Sequence, residues 1–156
     1  MDTCRNATSA LLMQLRPKTL LCIGSGCGAW QKMTDARVTV VSGPEPLTEI
    51  GQLGRFDFAL LLDTLEQLPK RVGEQLLAAV RDLHGGHFAV QLGAESQSAW
   101  SDNELRAFGL VLLARCGDPS APDRLWGFDL KTYKPTPEWL NPKFWANPEL
   151  WDRYWW

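Results

Sequence analysis

The sequence predicts an open α/β fold with a mainly parallel sheet, closed by an antiparallel hairpin. Three observations carry this. Near-continuous apolar runs at residues 19–23, 38–41, 56–62 and 88–92 suit strands covered on both faces. Amphipathic stretches lie between most of these runs, the rhythm of strand–helix–strand units with right-handed crossovers. Two further runs, 110–116 and 125–133, are joined only by the turn-rich segment 117–123, too short for a crossover helix, so they form a hairpin.

The elements follow in order. The first run stops at Gly24-Ser25-Gly26-Cys27-Gly28, and only nine residues separate Gly28 from Val38, room for a short helix. The second run ends at Ser42-Gly43-Pro44, and only thirteen residues separate Ser42 from Phe56, where the third begins. Pro69 opens the clearest helix, with Val72, Leu76, Leu77, Val80 and Leu83 on one face and Gly85-Gly86 as its stop. Ser101 caps a helix over 102–108, with Asp102 and Glu104 near its positive end. Residues 1–133 form the α/β domain. Residues 134–156 form a Trp-rich extension, holding five of the eight tryptophans, expected to pack on the same domain. A helix starting at Pro148 would gather Trp151, Tyr154 and Trp155 on one face, to be buried on the chain's own sheet or in a homodimer or partner interface.

Composition narrows the function. Of the residues 45% are apolar and 22% charged, the ordinary globular range, and the net charge of −2 gives no basic footprint for nucleic acid. No apolar run approaches the ~18 residues of a membrane span, and the stretch 10–15 is too short for a signal sequence. The four cysteines form no CxxC pair, so they are expected to be reduced, small apolar residues in a cytoplasmic protein. His84 and His87 flank a Gly-Gly turn, and no metal site is expected there.

The run 21–28, Leu-Cys-Ile-Gly-Ser-Gly-Cys-Gly, resembles the first motif of class I S-adenosylmethionine-dependent methyltransferases, a strand ending in acidic-x-Gly-x-Gly-x-Gly. Residues 56–69, with Asp63-Thr64-Leu65-Glu66-Gln67-Leu68-Pro69, resemble that fold's fourth strand and following loop. The resemblance covers residues 15–133 in the right order. The whole chain also resembles a small bacterial family of uncharacterised proteins with a Trp-rich end.

The resemblance implies cofactor contacts from Gly24, Ser25, Gly26, Gly28, Ser42, Asp63 and Thr64, with Glu66 as candidate base. It also exposes departures. Cys22 stands at the acidic position of the first strand, Ser42 replaces the carboxylate that usually takes the ribose hydroxyls, and the segment after Ser42 is too short for a helix plus a third strand. The glycines also fit Gly-x-Gly-x-x-Ala with Ala29, a dinucleotide fingerprint, but that pattern wants an acidic residue where Ser42 stands. The expectation is a degenerate methyltransferase-like domain that binds a small molecule or protein partner. The alternative is an active S-adenosylmethionine-dependent methyltransferase.

Overall fold

The computed structural model describes residues 3–133. The expected packing of the Trp-rich extension lies outside the described residues. One six-stranded sheet runs in the order β2-β1-β3-β4-β6-β5, built from β1 (Thr19–Gly24), β2 (Arg37–Val41), β3 (Phe58–Leu62), β4 (His87–Leu92), β5 (Val111–Cys116) and β6 (Asp123–Asp129). The first four strands are parallel, and β6 runs antiparallel to both β4 and β5. Helices cover both faces, which explains the unbroken apolar runs. Leu20 and Cys22 turn to one layer while Leu21 and Ile23 turn to the other, and β3 alternates in the same way.

One layer holds α1 (Thr3–Leu15) and α2 (Cys27–Met33); the other holds α3 (Pro46–Ile50), α4 (Lys70–Ala79) and α5 (Asp102–Ala107). Between β2 and β3 the chain forms α3 and no strand, so the sheet is shortened at β2. The Ser101–Glu104 capping box forms on both sides: Ser101 Oγ accepts from Glu104 N–H at 3.3 Å, and Glu104 Oε2 accepts from Ser101 N–H at 3.0 Å.

Four expectations need correction. Residues 3–9 extend the short apolar stretch into α1, which stops where Arg16 turns left-handed (φ 46°) ahead of Pro17. The face of α4 does not continue to Leu83, which is 62% exposed. Residues Val80–His84 form a π turn, whose extra residue rotates the chain and buries His84 instead, with its Nδ1–H donating to the Gly54 carbonyl at 3.1 Å. The last strand is Asp123–Asp129, because the Asp129 carboxylate accepts the Lys131 N–H at 3.0 Å and turns the chain into α6 (Leu130–Tyr133).

The fourth correction is the cysteines. Cys4 is bonded to Cys116, tying α1 to the end of β5, and Cys22 to Cys27, across the glycine loop. No cysteine is free. The fold brings each pair within 5.3 and 5.8 Å between Cα atoms, a proximity that spacing in the chain does not reveal. The cytoplasmic expectation rested on reduced thiols and loses that support. No helix among the described residues is long and apolar enough to cross a membrane.

The two bridges should differ in weight. Cys4–Cys116 spans 112 residues and Cys22–Cys27 only 5, so chain entropy gives about 5 and about 2 kcal/mol respectively. Cys4→Ser/Cys116→Ser should therefore lower the urea midpoint much more than Cys22→Ser/Cys27→Ser. Equal losses in equilibrium unfolding would contradict this ordering.

Candidate functional site

At the C-terminal end of the parallel strands, β1 and β3 meet in unusually close contact. Gly24 has φ 110°, and a Cβ placed on it would lie 1.9 Å from the Leu62 carbonyl oxygen and 2.4 Å from Thr64 Oγ1. Only glycine fits there. Thr64 is buried, and its hydroxyl lies 3.0 Å from the Ile23 carbonyl oxygen and 2.9 Å from that of Leu62. Gly24 and Thr64 thus lock the two strand ends together. Gly26 starts α2 in a left-handed conformation (φ 80°), and Cβ atoms on Gly26 or Gly28 would meet nothing within 4 Å. These two leave backbone open to an approaching group.

A cleft of about 370 Å³ opens between β1, β2 and β3. Gly24, Ser25, Ser42, Asp63 and Thr64 line it, together with Gln67. A smaller cleft of about 180 Å³ on the other side of the glycine loop shares Ser25 and Asp63 and adds Gly26, Arg5 and Gln91. The fold therefore gathers the sequence candidates around one loop, with two exceptions. Gly28 lines neither cleft. Glu66 lines neither as well: its Oε1 accepts the Gly93 N–H at 2.9 Å, which ties the loop after β3 to the end of β4. Burial holds the Glu66 carboxyl above the usual carboxylate range; the Gly93 bond pulls it back in part, and the Asp63 charge pushes it up again.

Asp63 is an exposed carboxylate shared by both clefts, and it sits at φ 48°. Left-handed backbone outside glycine costs of order 1 kcal/mol and collects at functional positions. The Cys22–Cys27 bridge closes a ring around Ile23, Gly24, Ser25 and Gly26, so the glycine loop is covalently fixed. Sequence reasoning missed Gln91 and Arg5. Gln91 is the one polar residue inside the run 88–92, a usable signal; Arg5 depends on α1, which the apolar pattern did not show. His84 and His87 point to different partners, His84 to Gly54 and His87 edge-on to Phe58, with ring centroids 5.0 Å apart. Among the described residues no group of three or more metal-ligating side chains gathers.

The family profile that matches covers residues 2–156 and is described as a family of unknown function. The chain belongs to the DUF6231 family. No curated protein matches this DUF6231 chain in sequence. Its fold is similar to the methyltransferase domain of bacterial CtHen1, at 13% identity over 80% of this chain and 96% of that one, with a TM-score of 0.58. It is also similar to magnesium protoporphyrin IX methyltransferase (ChlM) from Synechocystis PCC 6803, solved with bound SAM, at 13% identity, 80% and 77% coverage and a TM-score of 0.55. The mitomycin 7-O-methyltransferase MmcR gives 14% identity, 80% and 53% coverage and a TM-score of 0.52. At these identities the likeness is one of fold. The chain has the methyltransferase-like, Rossmann-like architecture.

The residues present do not fit S-adenosylmethionine in the manner the resemblance implies. The first-strand acidic position is Cys22, fully buried and spent in a disulfide. The Thr64 hydroxyl lies against two carbonyl oxygens, and β2 ends on Ser42 where the resemblance expects a carboxylate, with the Glu49 carboxylate beside Gly43 just beyond, on a sheet that lacks the third strand. Among the described residues, Asp63 is the single carboxylate lining either cleft.

Two outcomes follow. Gly24→Ala should destabilise the fold by more than about 3 kcal/mol, through overpacking plus positive-φ strain, whereas Gly28→Ala should be neutral or stabilising because it gains helix propensity; chemical denaturation separates them. Glu66 has a raised folded-state pKa, so the folded chain holds its proton more tightly than the unfolded chain. Its ionisation therefore lowers stability as pH climbs past about 4.5. Glu66→Gln keeps an oxygen for the Gly93 N–H and should melt at or above wild type at neutral pH, with the difference fading in acid. A variant that melts lower at neutral pH than in acid, relative to wild type, would refute this.

Proposed function

We propose that this chain is a methyltransferase-like domain that has given up methyl transfer and acts by binding. The ligand is a small polar molecule, taken into the cleft between β1, β2 and β3. The observation that carries this reading is the covalently fixed glycine loop: where the resemblance expects a carboxylate to order the loop, a buried disulfide orders it, and β2 ends on Ser42 where the resemblance expects a carboxylate for a ribose. Asp63 is the recognition residue, held in a strained backbone conformation at the mouth of both clefts with Ser25 beside it. Ser25, Ser42 and Gln67 add hydroxyl and amide groups, so the cleft favours a ligand with hydroxyls or a cationic group over an anion.

The alternative reading is an active S-adenosylmethionine-dependent methyltransferase of the same fold. The open backbone at Gly26 and Gly28 favours it, since a cofactor carboxylate could approach there. Calorimetric titration of the full chain with S-adenosylmethionine and S-adenosylhomocysteine separates the two. The binding-domain reading expects no affinity tighter than about 100 μM, or about −5.5 kcal/mol. Tighter binding that is lost in Asp63→Ala would overturn it in favour of the enzyme.

A further inference from the structure

The shortened sheet leaves β2 as an edge strand, and its backbone has a definite polarity. The Arg37 N–H donates to the Lys18 carbonyl at 2.8 Å, and the register pairs Thr19 with Arg37. In a parallel ladder alternate residues turn to the same neighbour, so Arg37, Thr39 and Val41 face β1. Val38 and Val40 turn both N–H and C=O outward, away from the sheet. Among the described residues these outward groups have no hydrogen-bond partner, and β2 has no second neighbouring strand. Unpaired strand edges recruit further strands unless something protects them.

We propose that a second copy of this chain pairs antiparallel along β2, with a two-fold axis at Thr39, and so supplies the strand that each sheet lacks. The strand is self-complementary about that residue. Val38 faces the partner's Val40 as a hydrogen-bonded pair, and Val40 faces the partner's Val38 likewise. Thr39 meets the partner's Thr39 as a non-hydrogen-bonded pair. Both valines pack on the α1–α2 side, so the pairing continues one apolar face. A slip of one residue would set an outward-turned residue against an inward-turned one and break the ladder.

Charge selects the same orientation. Arg37 is exposed at the start of β2 and Glu45 and Glu49 are exposed just past its end, and among the described residues none of the three forms an ion pair. Antiparallel pairing sets the partner's Arg37 opposite Val41, beside these carboxylates. Parallel pairing would bring acid to acid. The same placement puts the partner's Arg37 next to Ser42 at the rim of the larger cleft, so the second copy would complete the wall that the missing strand leaves open. Symmetric pairing of one patch with itself is the commonest route to a homodimer. This inference stands whether or not the cleft binds a ligand.

Light scattering after size exclusion on the full chain should give twice the chain mass at micromolar concentration. Val40→Pro removes only an outward N–H and leaves the bonds to β1, so circular dichroism should be unchanged while the dimer weakens about tenfold or more. Thr39→Cys should cross-link to its own copy under mild oxidation, since non-hydrogen-bonded partners lie within disulfide reach and the native cysteines are all bonded. Arg37→Glu should weaken the dimer, and Arg37→Glu/Glu49→Arg should restore it. A monomeric wild type overturns the proposal, whether the chain's own residues 134–156 or another protein covers the edge. A dimer that withstands Val40→Pro and fails to cross-link through Thr39→Cys overturns it as well.

Discussion

The candidate site depends on the contact between the ends of β1 and β3 at Gly24. The backbone of β1 comes so near the Leu62 carbonyl that no side chain fits between them, and the Thr64 hydroxyl joins the two strand ends. That contact fixes where the glycine loop leaves the sheet and where Asp63 emerges. The clefts on either side of the loop follow from it. The Cys22–Cys27 bridge then holds the loop's far side, so the loop is pinned by packing at one end and by a covalent bond at the other.

The other half of the sheet is organised by a buried cation. Arg124, fully buried on β6, donates to Asp102 at 2.6 Å, to the Trp100 carbonyl at 2.8 Å and to Ser96 Oγ at 3.3 Å. Burial alone would raise the Asp102 carboxyl, but hydrogen bonds and charge from Arg124 and Arg115 hold it below the usual range. The pair's worth lies less in net energy than in the large penalty for removing either partner. It shapes the segment 93–101, over which Lys70 lies against the Trp100 ring, 3.7 Å from its centroid. Through the Glu66–Gly93 bond this half of the sheet is joined to the loop after β3. A carboxylate suggested by the motif as a base therefore serves as a strut between two loops.

The sequence alone determined the strand–helix rhythm, the closing hairpin and the shortened edge. Those features are local: apolar runs covered on both faces, a connection too short for a crossover, and a segment too short for a helix plus strand. The resemblance, not local pattern, singled out Gly24, Gly26, Asp63 and Thr64, and the fold brings them to the ends of β1 and β3, where ligands of open α/β sheets gather. Tertiary structure decided what pattern does not encode. Cys4 meets Cys116 and Cys22 meets Cys27 only after the fold sets their distances, so spacing along the chain suggested free thiols. The π turn exchanged Leu83 for His84 in the core because one added residue rotates a helix face. Gly24, Gly26 and Gly28 look alike in sequence, yet one is demanded by a neighbouring carbonyl and two face open space. Contact with distant backbone separates them, and only the folded chain supplies it.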